Sequence, residues 1–357
     1  MIRRTFSILV LALLAACAST PNQLDEDQAP RSRYSGQAGE SPVGVIPEGT
    51  IRDEERGREL VFTVEYPTKP GSYPLIIFSH GFGATRNAYV GLSSHWASQG
   101  YVVIKPAHAD SGRLQAGNAA QDWRDQTQTD WRNRVRDVTM ILDSFDRIEE
   151  AYPELKGKVD RAKIAVGGHS YGAFIAMLIG GARARGTSYA DPRVKAIVAM
   201  SPQGASETFG LTNESWANVR VPTLFMTGTN DRGIAEDETP EWRRQAFEHS
   251  PDGDKWLVVL EGAGHASFTG RIDVAPPTRA ATGPMLGDDF RRPGEVMDQT
   301  RRDTPREGRA GMNIRYTFNN IKAISLAFLD AYLRGEAEGR TTLENAAQRG
   351  GVELQRK

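Results

Sequence analysis

The sequence predicts an α/β fold with a mostly parallel central sheet and helices on both of its faces. From residue 59 onward, short and continuously apolar segments alternate with longer stretches of helical spacing. A strand that is apolar along its whole length is buried on both sides, which is typical of parallel sheets. Of the 357 residues, 39% are hydrophobic and 25% are charged, which suits a globular domain with a large core. We therefore expect one large domain rather than the two that length alone suggests.

Each predicted element follows from its local pattern. Apolar runs predict strands over residues 60–66, 75–79, 101–104, 164–167, 196–200, 223–226 and 256–260. Helices are predicted over 86–99, 130–148, 171–184 and 316–334. Functional groups in such sheets lie at the carboxyl ends of the strands, so the loops that follow the strands are where we expect the site.

Charge and cysteine content exclude several classes of protein. Lys plus Arg number 44 and Asp plus Glu number 45, which gives a net charge of −1. A nearly neutral chain has no general attraction to nucleic acid or to anionic lipid, so we expect no nucleic-acid partner. The single cysteine excludes an internal disulfide and any zinc site that is built on several cysteines.

The N-terminus has the pattern of an export signal. Arg3 and Arg4 precede an apolar run over 6–14, which is too short to span a bilayer. The run ends in Leu14-Ala15-Ala16-Cys17, which resembles the lipobox of bacterial lipoproteins. We expect a signal peptide over 1–16, lipidation of Cys17 and a flexible tether over 17–41. An ordinary signal peptide with an incidental cysteine is the alternative.

This interpretation predicts a location in the bacterial cell envelope. A lipid on Cys17 would anchor the chain to a membrane with its folded part facing the periplasm. The residue after the cysteine is Ala18 rather than the Asp that retains lipoproteins in the inner membrane, which favours the outer membrane.

Gly168-His169-Ser170-Tyr171-Gly172 is a G-x-S-x-G motif between a predicted strand and a predicted helix. This context is that of a nucleophile elbow, a tight turn that raises a serine hydroxyl above the sheet. The positive end of the following helix favours negative charge that develops at Ser170. We therefore predict Ser170 as a nucleophile.

A serine nucleophile needs a base, and the base needs a carboxylate. His265 follows the last core strand, and Asp231 follows the strand over 223–226. The chain order is then Ser170, Asp231, His265, as in hydrolases with a nucleophile elbow. Glu236 and Asp237, further along the same loop as Asp231, are the alternative acids.

The oxyanion of a tetrahedral intermediate needs preset N–H donors. One predicted donor is Tyr171, the residue after the nucleophile. The other should come from the loop His80-Gly81-Phe82-Gly83 after an early strand. We predict the Phe82 N–H as this donor, with Gly83 as the alternative.

These stretches resemble the α/β-hydrolase superfamily. Within it, they are similar to platelet-activating-factor acetylhydrolase and dienelactone-hydrolase-like bacterial serine esterases, and the similarity is carried by residues 79–86, 96–103 and 167–173. The resemblance implies an α/β-hydrolase fold and a serine carboxylic-ester hydrolase without metal or cofactor. Polyester-degrading hydrolases and cutinases share the elbow and an aromatic residue in the oxyanion loop.

The chain departs from these families in informative ways. A dienelactone hydrolase uses a cysteine nucleophile, whereas this chain has Ser170 and no cysteine after residue 17. Long polar insertions at 107–131, with Trp123 and Trp131, and at 266–312 follow core strands, so both could line the pocket. We expect the hydrolase domain to span 42–340 and a C-terminal tail to span 341–357.

The predicted substrate is a small-molecule or lipid-like ester, hydrolysed through an acyl-enzyme. A polyester hydrolase, a cutinase-like enzyme or a lipase is the first alternative. A peptidase or thioesterase uses the same triad, and a non-catalytic binding lipoprotein would use the same fold. The residues leave the acyl group, the alcohol and the oligomeric state open.

Overall fold

The central sheet of the computed structural model has a parallel middle and antiparallel edges. The structure describes residues 32–112, 119–233, 238–270 and 309–357, without the side chains of 119–130 and 309–314. In this part of the chain, nine strands pair in the order β1-β2-β4-β3-β5-β8-β9-β10-β11. Strands β4 to β10 of this order run parallel, whereas β1, β2 and β11 pair antiparallel.

The bounds of the strands are wider than the apolar runs that predict them. They are β1 Val43–Asp53, β2 Arg58–Pro67, β3 Tyr73–Ser79, β4 Val102–Pro106, β5 Val159–His169, β8 Val194–Met200, β9 Thr223–Asn230, β10 Lys255–Gly264 and β11 Val352–Arg356. Two short strands, β6 Arg183–Ala184 and β7 Thr187–Ser188, form a separate hairpin. Every predicted strand is confirmed.

Helices cover both faces of the sheet. They are α1 Val90–Ser98, α2 Ala119–Asp143, α3 Phe145–Ala151, α4 Tyr171–Ile179, α5 Pro240–Glu248, α6 Arg309–Leu329 and α7 Ala337–Glu344. Alternate residues of the strands point to opposite faces, so Leu75 and Ile77 pack in one core with α2 to α5. Ile76 and Phe78 pack in the other with α1, α6 and α7. The predicted fold class is confirmed.

All four predicted helices have different bounds, and for two of them the difference has a clear structural cause. The helix expected over 130–148 begins at Ala119 and is interrupted at Ser144 before α3 begins. Part of the insertion at 107–131 is therefore helical. The helix expected over 171–184 ends at Ile179, because Gly181 adopts a φ of +119° and the chain enters the hairpin of β6 and β7.

Packed structure extends beyond both predicted boundaries of the folded domain. At the N-terminal side, Tyr34 is buried and its hydroxyl donates a hydrogen bond to Asp330 at 3.1 Å, so packed structure begins at about residue 33. At the C-terminal side, β11 pairs with β10 from Leu260↔Val352 to Trp256↔Arg356. Residues 341–357 are thus part of the domain. The sequence pattern does not reveal this strand, because a short polar edge strand lacks the apolar run that marks a core strand. The predicted signal and Cys17 lie outside the described residues.

No helix within the described residues is long and apolar enough to cross a bilayer.

Because β11 pairs with β10, we expect removal of β11 to lower the thermal stability of the fold. Deletion of residues 351–357 exposes the edge of β10 and removes the buried side chain of Val352. We expect the midpoint of thermal unfolding to fall by about 4 °C or more, which corresponds to a loss of about 2 kcal/mol at the roughly 2 °C per kcal/mol of a large domain. Differential scanning fluorimetry measures it. Glu353→Ala, which keeps the strand backbone, is the control, and an unchanged midpoint after deletion would contradict the role of β11.

Candidate active site

Ser170 lies at a strained turn between β5 and α4. Its φ is 54° and its ψ is −123°, a conformation that costs a non-glycine residue energy. Its N–H donates to the Met200 carbonyl oxygen at 2.9 Å, which fixes the turn to β8. The predicted context of strand, turn and helix is therefore present, with Ser170 only half-buried.

The flanking glycines are required by close backbone contacts. A Cβ at Gly172 would lie 1.9 Å from the Ser79 carbonyl oxygen, and one at Gly168 would lie 2.2 Å from the Gly172 carbonyl oxygen. No side chain fits at either position, so the motif has a direct steric cause. Because α4 contacts the end of β3 at Gly172, the loop after β3 lies against the elbow. A Cβ at Gly81 would be 3.6 Å from the Cβ of Ser170.

Asp231 and His265 are hydrogen-bonded across the loops after β9 and β10. The His265 Nδ1 lies 2.8 Å from the Asp231 Oδ1. Asp231 is fully buried, whereas the His265 side chain is 30% exposed. The His265 ring also lies beside the elbow, with its centroid 4.6 Å from that of His169. The structure thus brings these two predicted residues together, and the alternative acids Glu236 and Asp237 lie outside the described residues.

Arg243 of α5 pairs with the Asp231 carboxylate, and the sequence pattern does not identify it as a residue of the site. The Arg243 Nε lies 3.1 Å from Oδ1, while Ser201 and Thr227 donate to Oδ2 at 2.6 and 2.9 Å. Burial opposes ionisation, but the charge of Arg243 and the hydrogen bonds from His265 and Ser201 outweigh it and lower the pKa of Asp231 below its usual range. Asp231 therefore stays ionised and accepts the Nδ1–H of His265.

His169, next to the nucleophile, has a different partner from His265. Its Nδ1 lies 2.9 Å from the Tyr89 hydroxyl, which in turn accepts the Gly81 N–H at 3.1 Å. Burial, followed by the nearby His265, lowers the pKa of His169 well below 6.5. His169 is thus neutral and links the elbow to the loop 80–83 through Tyr89.

The geometry of the loop His80 to Gly83 distinguishes between Phe82 and Gly83, the two candidates for the second oxyanion donor. Gly83 has a φ of 63°, and its N–H donates to the Asp110 Oδ2 at 2.8 Å, so this N–H already has an acceptor. The Phe82 ring packs edge-on against the Tyr171 ring at a centroid distance of 6.0 Å. This arrangement favours Phe82 over Gly83, and the roles of the Phe82 and Tyr171 N–H groups remain predictions.

A second Ser-His-Asp array lies beneath the loop. The Ser79 Oγ is 2.9 Å from the His108 Nε2, and the His108 Nδ1 is 2.8 Å from the Asp137 Oδ2. All three residues are inaccessible to solvent. Burial, followed by the charge of Arg134, lowers the pKa of His108. The array has the distances of a catalytic triad but cannot receive a substrate, so it connects β3, β4 and α2.

The predicted insertions contribute in part to the core. Trp131 is fully buried and packs edge-on against Phe174 and Tyr189 at centroid distances of 5.9 and 5.1 Å. It is therefore a core residue and not part of a pocket wall. The Trp123 side chain and residues 271–308 lie outside what the structure describes.

A strained serine at a strand–helix turn, with an Asp–His pair at the same edge of a mostly parallel sheet, defines the α/β-hydrolase class. Within that class, the chain belongs to the family described as platelet-activating factor acetylhydrolase, isoform II, whose family model matches residues 63–135 and 135–291. The resemblance predicted from the sequence is confirmed.

Curated relatives agree with this assignment. The chain is 24% identical over 298 residues to a platelet-activating factor acetylhydrolase of Cavia porcellus, covering 75% of the chain and 59% of the relative. It is 25% identical over 231 residues to one of Bos taurus, covering 55% and 48%. It is 29% identical over 164 residues to cutinase 2 of Thermobifida cellulosilytica, covering 46% and 50%. The chain thus matches about half to three fifths of the length of these relatives.

The lowered pKa of Asp231 predicts a specific acid sensitivity. A carboxyl whose folded pKa lies below its unfolded pKa, about 3.8 here, stabilises the fold fully above the unfolded value and less as the pH falls through the folded one. Between about pH 5 and pH 3, we expect wild type to lose roughly 1 kcal/mol more unfolding free energy than Asp231→Asn does. Urea unfolding measures both, with the exposed Asp252→Asn as control. Equal losses in wild type and Asp231→Asn would contradict the assignment.

Proposed function

We propose that the protein is a serine carboxylic-ester hydrolase that acts through an acyl-enzyme. The Asp231–His265 hydrogen bond of 2.8 Å beside the strained Ser170 is the observation that carries the proposal. Membership of the acetylhydrolase family supports it. No step requires a metal or a cofactor, because each role in acyl transfer has a candidate among the residues of the site.

In this mechanism, the Ser170 oxygen attacks the ester carbonyl carbon while the His265 Nε2 takes the hydroxyl proton. The carbonyl oxygen becomes an oxyanion that the Phe82 and Tyr171 N–H groups stabilise. Collapse of the intermediate breaks the ester bond, and His265 returns the proton to the departing alcohol. Water then attacks the acyl-serine with His265 again as base, and the carboxylic acid leaves.

Asp231 supports both proton transfers. By accepting the Nδ1–H at 2.8 Å, it selects the tautomer of His265 whose Nε2 can accept a proton. Because Arg243 helps to keep Asp231 ionised, the carboxylate also stabilises the imidazolium that forms during each transfer.

The proposed substrate is a small-molecule or lipid-like ester with a short acyl group. Support comes from the relatives, which are named for the removal of an acetyl group from platelet-activating factor. A cutinase-like polyester hydrolase is the alternative, because the identity to a cutinase reaches 29% over 164 residues. Rates on p-nitrophenyl esters of increasing chain length, on an insoluble polyester, and on matched amides and thioesters would distinguish these substrates. The proposal expects the highest kcat/KM on the acetyl ester.

The nucleophile assignment predicts the effect of one substitution. Ser170→Ala removes the attacking oxygen, so p-nitrophenyl acetate hydrolysis should fall by about 10⁴-fold or more. Labelling by a fluorophosphonate probe should disappear with it. Ser325→Ala is the control for loss of a serine hydroxyl, since Ser325 is a buried serine of α6 whose hydroxyl accepts from the Trp96 indole. Undiminished hydrolysis by Ser170→Ala would refute the assignment.

We also propose a lipid anchor at Cys17 and a location in the cell envelope, most consistent with the outer membrane. The support is the lipobox-like Leu14-Ala15-Ala16-Cys17 after an apolar run. Two or more acyl chains anchor a protein stably, at about 0.8 kcal/mol per buried CH₂.

The anchor predicts a change in fractionation. Cys17→Ser removes the thiol that would carry the lipid, so the protein should move from the membrane fraction to the soluble fraction. Immunoblots of fractionated cells measure this, with Ser19→Ala as a control two residues away. If the Cys17→Ser protein stays in the membrane fraction to the same extent, lipidation is not the anchor.

A further inference from the structure

Arg134 of α2 is a buried cation that contacts the backbone of the loop 80–83. Its side chain is 1% exposed. One terminal nitrogen donates to the His80 carbonyl oxygen at 2.5 Å, and the other donates to the Gly81 carbonyl oxygen at 3.2 Å. These are the carbonyls of two consecutive peptide units. A planar guanidinium with several N–H donors in a fixed fork can hold both, which a lysine ammonium cannot do with the same geometry.

The contact to Gly81 determines where the Phe82 N–H points. The Gly81 carbonyl and the Phe82 N–H belong to the same peptide unit, and in a planar trans peptide they point in opposite directions. Arg134 holds the carbonyl towards the interior, so the N–H faces away from it. This peptide unit lies beside the nucleophile turn, because a Cβ at Gly81 would lie 3.6 Å from the Cβ of Ser170.

His80 reinforces this orientation. The His108 N–H donates to the His80 Nε2 at 3.3 Å, which leaves the proton of the neutral ring on Nδ1. That Nδ1–H donates to the Gly81 carbonyl oxygen at 2.7 Å. The Gly81 carbonyl oxygen therefore accepts from both His80 and Arg134, and a flipped peptide would lose both hydrogen bonds.

Asp110 completes the arrangement on the other side of Phe82. It accepts from Arg134 at 2.9 and 2.5 Å and from the Gly83 N–H at 2.8 Å. The Arg134 guanidinium also lies 4.4 Å from the centroid of the Tyr171 ring. One ion pair thus contacts the peptide units on both sides of Phe82 and the side chain of the other predicted donor.

We propose that Arg134, with Asp110, is a positioning residue that sets the Gly81–Phe82 peptide so that the Phe82 N–H is directed at the oxyanion. We call this pair with its contacts the Arg134 clamp. The inference rests on the proposed function, because it needs an acyl transfer at Ser170. The clamp touches no substrate, so it acts on the rate of the chemical step rather than on substrate binding.

Arg134→Lys is the variant that tests the clamp, because it keeps the positive charge beside Asp110 and removes the fork. Loss of one oxyanion donor typically costs about 10²–10³ in rate, so we expect kcat for p-nitrophenyl acetate to fall about 100-fold. The KM should change less than about threefold, since the lost interaction forms only in the transition state. The rate constant for fluorophosphonate labelling of Ser170 should fall by a similar factor, because the phosphoryl oxygen needs the same donors.

A destabilised control separates positioning from general damage to the fold. Asp330→Ala breaks another buried network, in which the Asp330 carboxylate accepts from the Tyr101 hydroxyl at 2.7 Å. Tyr101 directly precedes β4, so this network lies at the ends of the parallel strands opposite to the site. Its unfolding midpoint should fall, while its kcat and labelling rate stay within about twofold of wild type. The kcat and labelling rates of Arg134→Lys, Asp330→Ala and wild type must be compared at a temperature at which thermal unfolding curves show both variants to be folded.

The outcomes distinguish failure of the Arg134 clamp from failure of the proposed function. Folded Arg134→Lys with a kcat and a labelling rate within about threefold of wild type would overturn the clamp alone. A fall in both rates for Asp330→Ala as large as for Arg134→Lys would also overturn it. Wild-type protein that is labelled at Ser170 but hydrolyses no ester would overturn the proposed substrate class, while the labelling rates still decide the clamp. Wild-type protein that is not labelled would overturn both.

Discussion

The backbone of α4 passes so close to the end of β3 that residue 172 has no room for a Cβ, which would lie 1.9 Å from the Ser79 carbonyl oxygen. This contact joins the nucleophile turn to the strand that carries the loop 80–83. Because β3 and β5 are neighbouring parallel strands, both turns emerge at the same edge of the sheet. The strain at Ser170, with its φ of 54°, is maintained by this packing. The placement of Ser170 beside the loop 80–83 follows from it.

Buried or half-buried arginines pair with the buried carboxylates around the site. Asp231 is paired with Arg243, Asp110 with Arg134, and Asp137 with Arg56 and Arg58. Each carboxyl has a lowered pKa despite its burial. The three buried histidines beside the site, His80, His108 and His169, have lowered pKa values as well and are neutral connectors. His265 differs from them because its side chain is 30% exposed and hydrogen-bonded to Asp231, which suits a group that exchanges protons with a substrate.

Much of the candidate site is predictable from sequence because its parts directly follow apolar strands. Ser170, Asp231 and His265 each occupy such a position, and their chain order is informative. Arg134 and Arg243 are not predictable in this way, since an arginine on an amphipathic helix is usually solvent-exposed and only the tertiary fold buries it. The edge strand β11 and the packed residue Tyr34 escape prediction for a related reason: each lies in a polar segment that gains its partners only from distant parts of the chain.

The central claim is that the elbow and the loop 80–83 form one oxyanion-binding arrangement around Ser170. A crystal structure of the covalent fluorophosphonate adduct tests this most directly. The account predicts phosphorus on the Ser170 oxygen, with the phosphoryl oxygen about 2.7–3.1 Å from both the Phe82 and the Tyr171 backbone nitrogens. An adduct whose phosphoryl oxygen points away from these two nitrogens, or one formed on a different residue, would contradict it.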